Sequence, residues 1–535
     1  MAKDRQQNFM SGAAVLAAAV AVTKVLGALY KIPLGNLLDK EGMAHFYVAY
    51  NIYNLLVILS TAGLPLALSR LVSRAHALGR ENQKRQVFRV ALGLFLCIGL
   101  VCSGTMLLFP QRLAALLHDS QAAPAILALS PSVLCVCLSA AIRGYTQGQG
   151  NMKPTAASQV IESACKLLIG LALAWLLLRA GRPSSVAAAG AIAGVSVGSV
   201  LSLLALSLYL LRSRSHRAGT DRADSRRAIA GELLRIGVPV TVGAAGMSCI
   251  TLLDQMLVMS TLQNRLGLTE AAATALYGEY TFGMTLFNLP SSFIYPVTIS
   301  LIPAIAAALA RREEETARGQ TETAFRVTAL LAFPAGVGLS VLARPILDLL
   351  YPAVPETAAA AAYHLSVLGI ACIFVCLMVM TVGVLQAYGH EYIPVISLLC
   401  GGGLKVAANY LLVANPEVGI RGAAVGTLSC YILITVINLI AIHRLVPRRP
   451  DYFAVFFRPA AATAVMAVVA AGSWSLLHRL LDGSRLAVVC AIALAVLVYA
   501  AAAVVLGAVK RRDLEALPKG EKIADLLRIH ERNHR

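Results

Sequence analysis

Long apolar stretches recur along this chain, and short polar segments separate each stretch from the next. A helix needs about 20 apolar residues to cross a bilayer, so each stretch predicts one membrane-spanning helix. Strands of a membrane β-barrel would alternate apolar and polar residues over about ten positions, a pattern not seen here. The fourteen predicted spans are 9–30, 44–69, 90–109, 122–142, 154–178, 185–211, 236–260, 274–303, 327–343, 358–385, 394–413, 422–442, 459–478 and 486–509. The fold class is therefore all-α, in a polytopic membrane protein.

The charged residues set the orientation of these spans. The formal net charge is +19, although only 14% of residues are charged. With the N-terminus inside, the inner segments hold about three times as many lysines and arginines as the outer loops, the bias of cytoplasmic loops. Both termini are therefore expected in the cytoplasm, and the basic charge is assigned to topology rather than to nucleic acid.

The chain carries an internal duplication. Spans 1–6 resemble spans 7–12, and because six is even, both halves cross the membrane in the same direction. We therefore expect two parallel six-helix lobes around a central cavity, at residues 1–212 and 229–446. Two extra helices follow at 455–510, and a basic cytoplasmic tail at 511–535. At an offset of 239 residues the matched pairs are Gln147/Gln386, Gly150/Gly389, Ser158/Ser397 and Lys166/Lys405.

Charges inside the spans mark candidate functional residues, because an ionised side chain at bilayer depth costs about 2.5–3.5 kcal/mol on insertion scales. Glu162 and Lys166 are four residues apart on one helix, the favourable order for an ion pair. Such a pair would either anchor span 5 or serve the substrate site. Lys405 has Gly401 at the equivalent position, so it requires a partner on another helix or an anionic ligand.

Spans 1, 2 and 7 add further candidates. Lys24 and Lys31 are nearly two turns apart on one face of span 1, where Lys31 is close enough to the membrane surface to snorkel. Asp254 in span 7 is a deep carboxylate that would pair with a lysine or take part in ion coupling. In span 2, Asn54 shares a face with Tyr47 and Tyr50, which suits an interfacial aromatic belt or hydrogen bonding to a sugar.

Several kinds of chemistry have no support in the sequence. No serine–histidine–acid arrangement, paired catalytic carboxylates or metal-binding motif occurs, and the eleven cysteines fall in apolar spans as small buried side chains. We therefore predict a protein that is not an enzyme and that has no cofactor or metal site. Coupling to an ion or to the membrane potential stays open. An enzyme acting on lipid-linked substrates would show acidic motifs in the loops, which are mainly basic here.

Four short motifs and the span layout resemble the multidrug/oligosaccharidyl-lipid/polysaccharide exporter superfamily. More narrowly, the chain resembles the branch of lipid II flippases and stage V sporulation protein B. The motifs are 23–27 (Thr-Lys-Val-Leu-Gly), 53–56 (Tyr-Asn-Leu-Leu), 147–154 (Gln-Gly-Gln-Gly-Asn-Met-Lys-Pro) and 288–290 (Asn-Leu-Pro).

The resemblance implies a cationic cavity between two lobes and a lipid groove formed partly by the last two spans. It implies a polyprenyl-pyrophosphate-linked sugar as substrate, and it places the basic residue before Val-Leu-Gly at Lys24. Other members have arginines at the positions of Val57, Ile58 and Thr285. These differences favour the sporulation-type branch, and they argue against lipid II itself as the substrate.

Three hypotheses follow for the function. The first is a flippase for a lipid-linked anionic cell-wall precursor in the bacterial cytoplasmic membrane, with cell-wall synthesis proteins as further partners. Its candidate substrate-binding residues are Lys24, Lys31, Asn54, Lys166 and Lys405, with Asp254 and Glu162 for ion coupling or charge pairing. The second is a cation-coupled multidrug exporter, which would require carboxylates in its cavity. The third is a membrane scaffold without transport, which would leave the buried lysines unexplained.

Overall fold

A computed structural model describes residues 2–213, 221–480 and 485–509, and in these ranges every regular element is helical. The predicted tail at 511–535 lies outside the described residues. The helices up to residue 264 are α1 (Ala2–Leu37), α2 (Lys40–Thr61), α3 (Leu64–Ala77), α4 (Glu81–Leu108), α5 (Pro110–Leu116), α6 (Ala123–Gly148), α7 (Lys153–Arg179), α8 (Ser184–Arg212) and α9 (Arg226–Asn264). The remaining helices are α10 (Glu270–Ala310), α11 (Glu314–Val341), α12 (Ala343–Leu350), α13 (Pro355–Ala387), α14 (Tyr392–Leu412), α15 (Arg421–Leu445), α16 (Tyr452–Leu480) and α17 (Arg485–Val505).

The predicted all-α membrane fold is confirmed. Thirteen helical segments in the described part of the chain are long and apolar enough to cross a membrane. The predicted span 274–303 falls within α10, which is not among those thirteen. The count of fourteen spans therefore stays a prediction.

The chain folds as two compact units, Met1–Thr281 and Phe282–Arg535. The first unit includes α9 and the beginning of α10, whereas the sequence placed the limit between the lobes at 212–229. The predicted lobe limits and the parallel arrangement of two repeats stay predictions.

Two corners of the chain have the same local structure at the predicted 239-residue offset. Gly150 follows α6 with φ +81°, and Gly389 follows α13 with φ +80°. Each glycine N–H donates a hydrogen bond to a glutamine carbonyl, at 2.8 Å to Gln147 and 3.0 Å to Gln386. A left-handed residue of this kind ends a helix and is usually glycine. The helices that follow begin at Lys153 and Tyr392, which are separated by the same offset.

Small residues allow α7 to pack closely against α8. A Cβ added to Gly198 would lie 2.7 Å from the carbonyl oxygen of Glu162, and one added to Gly170 would lie 2.6 Å from that of Ala191. Larger side chains would therefore separate these helices, as is common for small residues at membrane helix interfaces. Tyr30 of α1 is fully buried and donates a 2.9 Å hydrogen bond to Ala191 O. These contacts fix the positions of α1 and α7 in the first unit.

Candidate functional site

A cluster of tyrosines and lysines lies inside the first unit. Tyr47, Tyr50 and Tyr53 follow one another at intervals of three on α2, so they lie along one side of the helix. The Tyr50 ring stacks on Phe46 with centroids 5.7 Å apart and an interplanar angle of 10°. Tyr47 and Tyr53 are buried and Tyr50 is half-buried. We call Lys31, Lys166 and the tyrosines around them the lysine–tyrosine cluster.

Lys31 enters this cluster from α1. Its Nζ donates a 3.0 Å hydrogen bond to Tyr47 Oη. The same Nζ lies 4.7 Å from the centroid of the Tyr47 ring and 5.9 Å from that of Tyr50. A cation within about 6 Å of an aromatic ring is attracted by the negative face of the ring. The ammonium is thus held by neutral groups.

Lys166 enters the cluster from α7. Its Nζ lies 4.5 Å from the Tyr50 ring centroid and 4.9 Å from that of Tyr30, with a long 3.5 Å contact to Tyr50 Oη. Tyr50 therefore contacts both lysines. In the residues that the structure describes, neither ammonium forms an ion pair with a carboxylate within 4.0 Å. Both lysines keep donors for a further acceptor, since an ammonium has three.

The predicted partnership of Glu162 with Lys166 is not what the structure shows. The described ion pair of Glu162 is with Arg143 of α6, at 3.0 Å between Nη2 and Oε2. Arg143 also donates to Ser158 Oγ at 2.9 Å and to Ser202 Oγ at 3.1 Å. Although Lys166 is at the favourable i, i+4 spacing, its side chain instead faces Tyr30 and Tyr50. Three helices converge on the guanidinium, whose fork of five donors can serve several acceptors at once.

Arg143 is not among the predicted site residues because the predicted span 4 ends at residue 142. The helix continues to Gly148, which places Arg143 well inside it. The available signal was a basic residue directly after an apolar run and before the glycine and glutamine residues of the duplicated corner. Extending the span by one turn would have included it.

The second unit lacks the Arg143–Glu162 pair as a whole. At the 239-residue offset Arg143 becomes Val382, Glu162 becomes Gly401, and Ser202 becomes Ala441. The charge, its carboxylate partner and one of its two serine partners are therefore absent together, whereas Ser158 keeps a counterpart in Ser397. Lys166 does have a counterpart, Lys405, which is buried on α14 in the second unit.

The other predicted residues occupy different environments. Lys24 is exposed on α1 and Asn54 is exposed on α2, one turn after Tyr50. Asp254 is buried on α9 and interacts electrostatically with Tyr277. The neighbouring Gln255 accepts a 2.7 Å hydrogen bond from Asn51 Nδ2 of α2. The first unit thus brings Lys31, Lys166 and Glu162 into adjoining networks, while Lys405 belongs to the second unit.

The residues that could bind a metal are dispersed. Within the described ranges, no three His, Cys, Asp or Glu side chains come together as a metal site. The absence of a cofactor stays a prediction.

Known proteins match most of this chain. The family described as polysaccharide biosynthesis protein matches residues 9–309. Stage V sporulation protein B of Bacillus subtilis (strain 168) is 26% identical over 447 residues, which cover 83% of this chain and 85% of the relative. Lipid II flippase MurJ of the same strain is 23% identical over 458 residues, covering 82% of this chain and 83% of the relative.

A solved structure shows the same fold. The inward closed conformation of lipid II flippase MurJ has a TM-score of 0.68 and 14% identity, covering 93% of this chain and 98% of that chain. The predicted resemblance is therefore confirmed. Together with the thirteen apolar helical segments, it identifies a multi-pass membrane protein.

Proposed function

We propose that this chain, which belongs to the polysaccharide biosynthesis protein family, is a flippase for a lipid-linked anionic sugar. The substrate is a polyprenyl-pyrophosphate-linked cell-wall or polysaccharide precursor similar to lipid II. Alternating access moves it across the bacterial cytoplasmic membrane. Because such movement makes and breaks no covalent bond, the proposal includes no catalytic residue.

The observation that carries this proposal is the lysine–tyrosine cluster. Lys31 and Lys166 both contact Tyr50, and neither forms an ion pair with a carboxylate of the described residues. Two neighbouring cations repel more strongly in a medium of low dielectric constant than in water. A pyrophosphate would offset this repulsion, and its oxygens would accept the donors that the tyrosines leave available. The tyrosine rings and hydroxyls would meanwhile suit the sugar.

The sign of the charge at the binding site distinguishes this proposal from the export of cationic drugs. An exporter of cations requires an unpaired carboxylate at its binding site. Glu162 is paired with Arg143, and among the described residues Lys31 and Lys166 contact neutral rings and hydroxyls and form no ion pair with a carboxylate. These contacts favour an anionic ligand.

The proposal also includes the orientation of the chain in the membrane and the energy source that drives transport. The proposal has both termini in the cytoplasm, which the bias of lysine and arginine toward the predicted inner segments supports. Asp254 is our candidate for ion coupling because it is a buried carboxylate within an apolar helix. The membrane potential is the alternative driving force, and proteins of cell-wall synthesis are the proposed partners.

The test is to reconstitute the purified protein in proteoliposomes and follow a fluorescent polyprenyl-pyrophosphate oligosaccharide across the bilayer. We expect transport by the wild type and loss of most of it in Lys31→Gln and Lys166→Gln. Lys153→Gln is the matched control, since Lys153 is an exposed lysine at the start of α7. Lys166→Arg should keep activity because its charge is retained.

A second measurement separates failure of the site from failure of the function. Transport by the wild type with full activity in both glutamine variants would remove the cluster from the site. Transport of a cationic dye in place of the lipid-linked sugar would instead support the exporter hypothesis.

A further inference from the structure

The first unit contains a basic cavity that is separate from the lysine–tyrosine cluster. It has a volume of about 670 Å³ and lies between α3 and α9. Its lining consists of Arg70, Leu71, Arg74, Glu232, Arg235 and Ile236. Three guanidinium groups face one carboxylate, so the lining carries a formal excess of positive charge.

The single acid does not neutralise these arginines. Arg74 Nη1 and Glu232 Oε1 are 4.0 Å apart, and their side chains are 78% and 49% exposed. An exposed pair at that distance interacts weakly and is screened by salt. Arg70 and Arg235 are exposed as well. The cavity thus presents donors to any anion that enters it.

The cavity lies where two helices change from apolar to polar. Arg70 directly follows the predicted span 44–69, and Arg235 directly precedes the predicted span 236–260. The two side chains therefore stand at corresponding ends of their apolar segments. Leu71 is buried and Ile236 is half-buried, which adds apolar surface to the lining. A ligand here would meet charge and apolar surface together, as a lipid does at the membrane boundary.

A tight helix crossing lies next to this cavity. A Cβ on Gly63, just before α3, would overlap the carbonyl oxygen of Gly237 on α9. Gly63 N–H also donates a 3.1 Å hydrogen bond to Thr241 Oγ1. Since Gly237 is adjacent to Ile236, the cavity begins directly beside the point where the two helices touch. The close approach of the two backbones and the hydrogen bond to the Thr241 side chain thereby hold its walls in place.

We propose that this cavity binds the phosphate-bearing headgroup of an anionic membrane lipid. The guanidinium groups bind the phosphate oxygens, since their planar fork matches phosphate geometry. The acyl chains extend along the apolar ends of α3 and α9. Basic pockets between membrane helices on the cytoplasmic side are a known form of lipid recognition. This site goes beyond the proposed transport function and does not depend on it.

The experiment measures lipid binding to the full-length protein in a neutral detergent by native mass spectrometry, with phosphatidylglycerol and phosphatidylcholine as probes. We expect bound phosphatidylglycerol in preference to phosphatidylcholine. Each arginine near a membrane surface contributes enough attraction that one Arg→Gln change should weaken phosphatidylglycerol binding about fivefold. The triple variant Arg70→Gln/Arg74→Gln/Arg235→Gln should weaken it on the order of a hundredfold if the contributions add.

A matched triple variant controls for overall charge. Arg89, Arg226 and Arg227 are exposed arginines outside the cavity lining. Arg89→Gln/Arg226→Gln/Arg227→Gln removes the same charge and should leave binding within about twofold, because separated surface charges are screened. Equal loss in both triple variants would show that any basic surface attracts the lipid, which overturns the proposal.

Two further measurements test the proposal: single variants with opposite expected effects, and competition with inorganic phosphate. Glu232→Gln should tighten phosphatidylglycerol binding, whereas Arg235→Gln should weaken it, so opposite signs are expected even if the triple variant does not fold. Inorganic phosphate in excess over the lipid should not displace it. Displacement by phosphate alone would show a site for free phosphate and overturn the assignment to a lipid.

Discussion

Arg143 Nη2 and Glu162 Oε2 lie 3.0 Å apart and join α6 to α7 in the first unit. Only 14% and 24% of the two side chains are exposed. The same guanidinium binds Ser158 and Ser202, so it connects three helices. The pair has a consequence for the neighbouring Lys166. Because Glu162 is engaged by Arg143, the ammonium of Lys166 is left to Tyr30 and Tyr50.

Removing one member of this pair should destabilise the first unit. Arg143→Leu or Glu162→Leu leaves a half-buried charge without its partner, at a cost on the order of 2–4 kcal/mol. The double variant Arg143→Leu/Glu162→Leu should recover much of that stability, as apolar replacement of both partners often does. Thermal unfolding in detergent measures the three variants. A double variant that is less stable than both single variants would contradict a structural pair.

Tyr50 is expected to act through its ring. Tyr50→Phe keeps the aromatic face beside both lysines and should preserve most substrate binding. Tyr50→Leu removes the face and should weaken binding by about three- to tenfold, the equivalent of a cation–π contact of about 1 kcal/mol. Binding of a lipid-linked oligosaccharide to purified protein measures the difference, with Tyr392→Leu as an exposed aromatic control. Equal losses in Tyr50→Phe and Tyr50→Leu would assign the effect to the hydroxyl.

Lys24 is predicted to contact the substrate pyrophosphate. Its side chain is exposed in the first unit, which is compatible with access from a cavity. Lys24→Arg should retain activity because charge and donors remain, while Lys24→Gln should fail. In a background without the eleven native cysteines, Lys24→Cys should react with a water-soluble thiol reagent, and substrate should protect it. An unreactive cysteine together with an active glutamine variant would place Lys24 outside the substrate pathway.

Lys405 provides the corresponding test in the second unit. It is only 7% exposed, so its charge needs compensation within the membrane. We expect Lys405→Ala to abolish complementation of a strain that lacks the flippase, while the protein still accumulates in membranes. Immunoblotting of membrane fractions provides the control for accumulation. Normal growth with Lys405→Ala would remove this residue from the proposed site.

The Asp221 carboxylate joins the segment before α9 to the first turn of α4 through two hydrogen bonds. Desolvation opposes ionisation of its carboxylate, but hydrogen bonds from the backbone N–H groups of Asn82 and Gln83, at 2.8 and 2.9 Å, lower its pKa below the usual value. Its contribution to stability is therefore present above the unfolded pKa of about 3.8 and is lost as the pH falls through the lower folded pKa. At neutral pH, Asp221→Ala should speed proteolysis of this segment. Asp348→Ala, at a half-buried aspartate outside this segment, serves as the control.

The sequence by itself determined the fold class and indicated the kind of ligand that we propose. Long apolar runs can satisfy their backbone groups within a membrane only as helices, so composition and span length were sufficient for the all-α prediction. The glycines of the duplicated corner were also visible, because a left-handed turn after a helix strongly favours glycine. Lysines within apolar runs indicated an anionic ligand through their cost of burial alone.

Only the tertiary structure decided which charges are partners. The i, i+4 spacing on one helix predicted a pair of Glu162 with Lys166. A carboxylate can accept hydrogen bonds from donors on any helix packed around it, so spacing along one helix does not decide its partner. The close packing of α7 against α8 at Gly198 and Gly170 brings Ser202 toward Glu162, and Arg143 reaches both from α6. Likewise, α1, α2 and α7 bring Lys31, Lys166 and Tyr50 together from positions up to 135 residues apart along the chain. Contacts over such distances depend on how helices pack, which local sequence pattern does not encode.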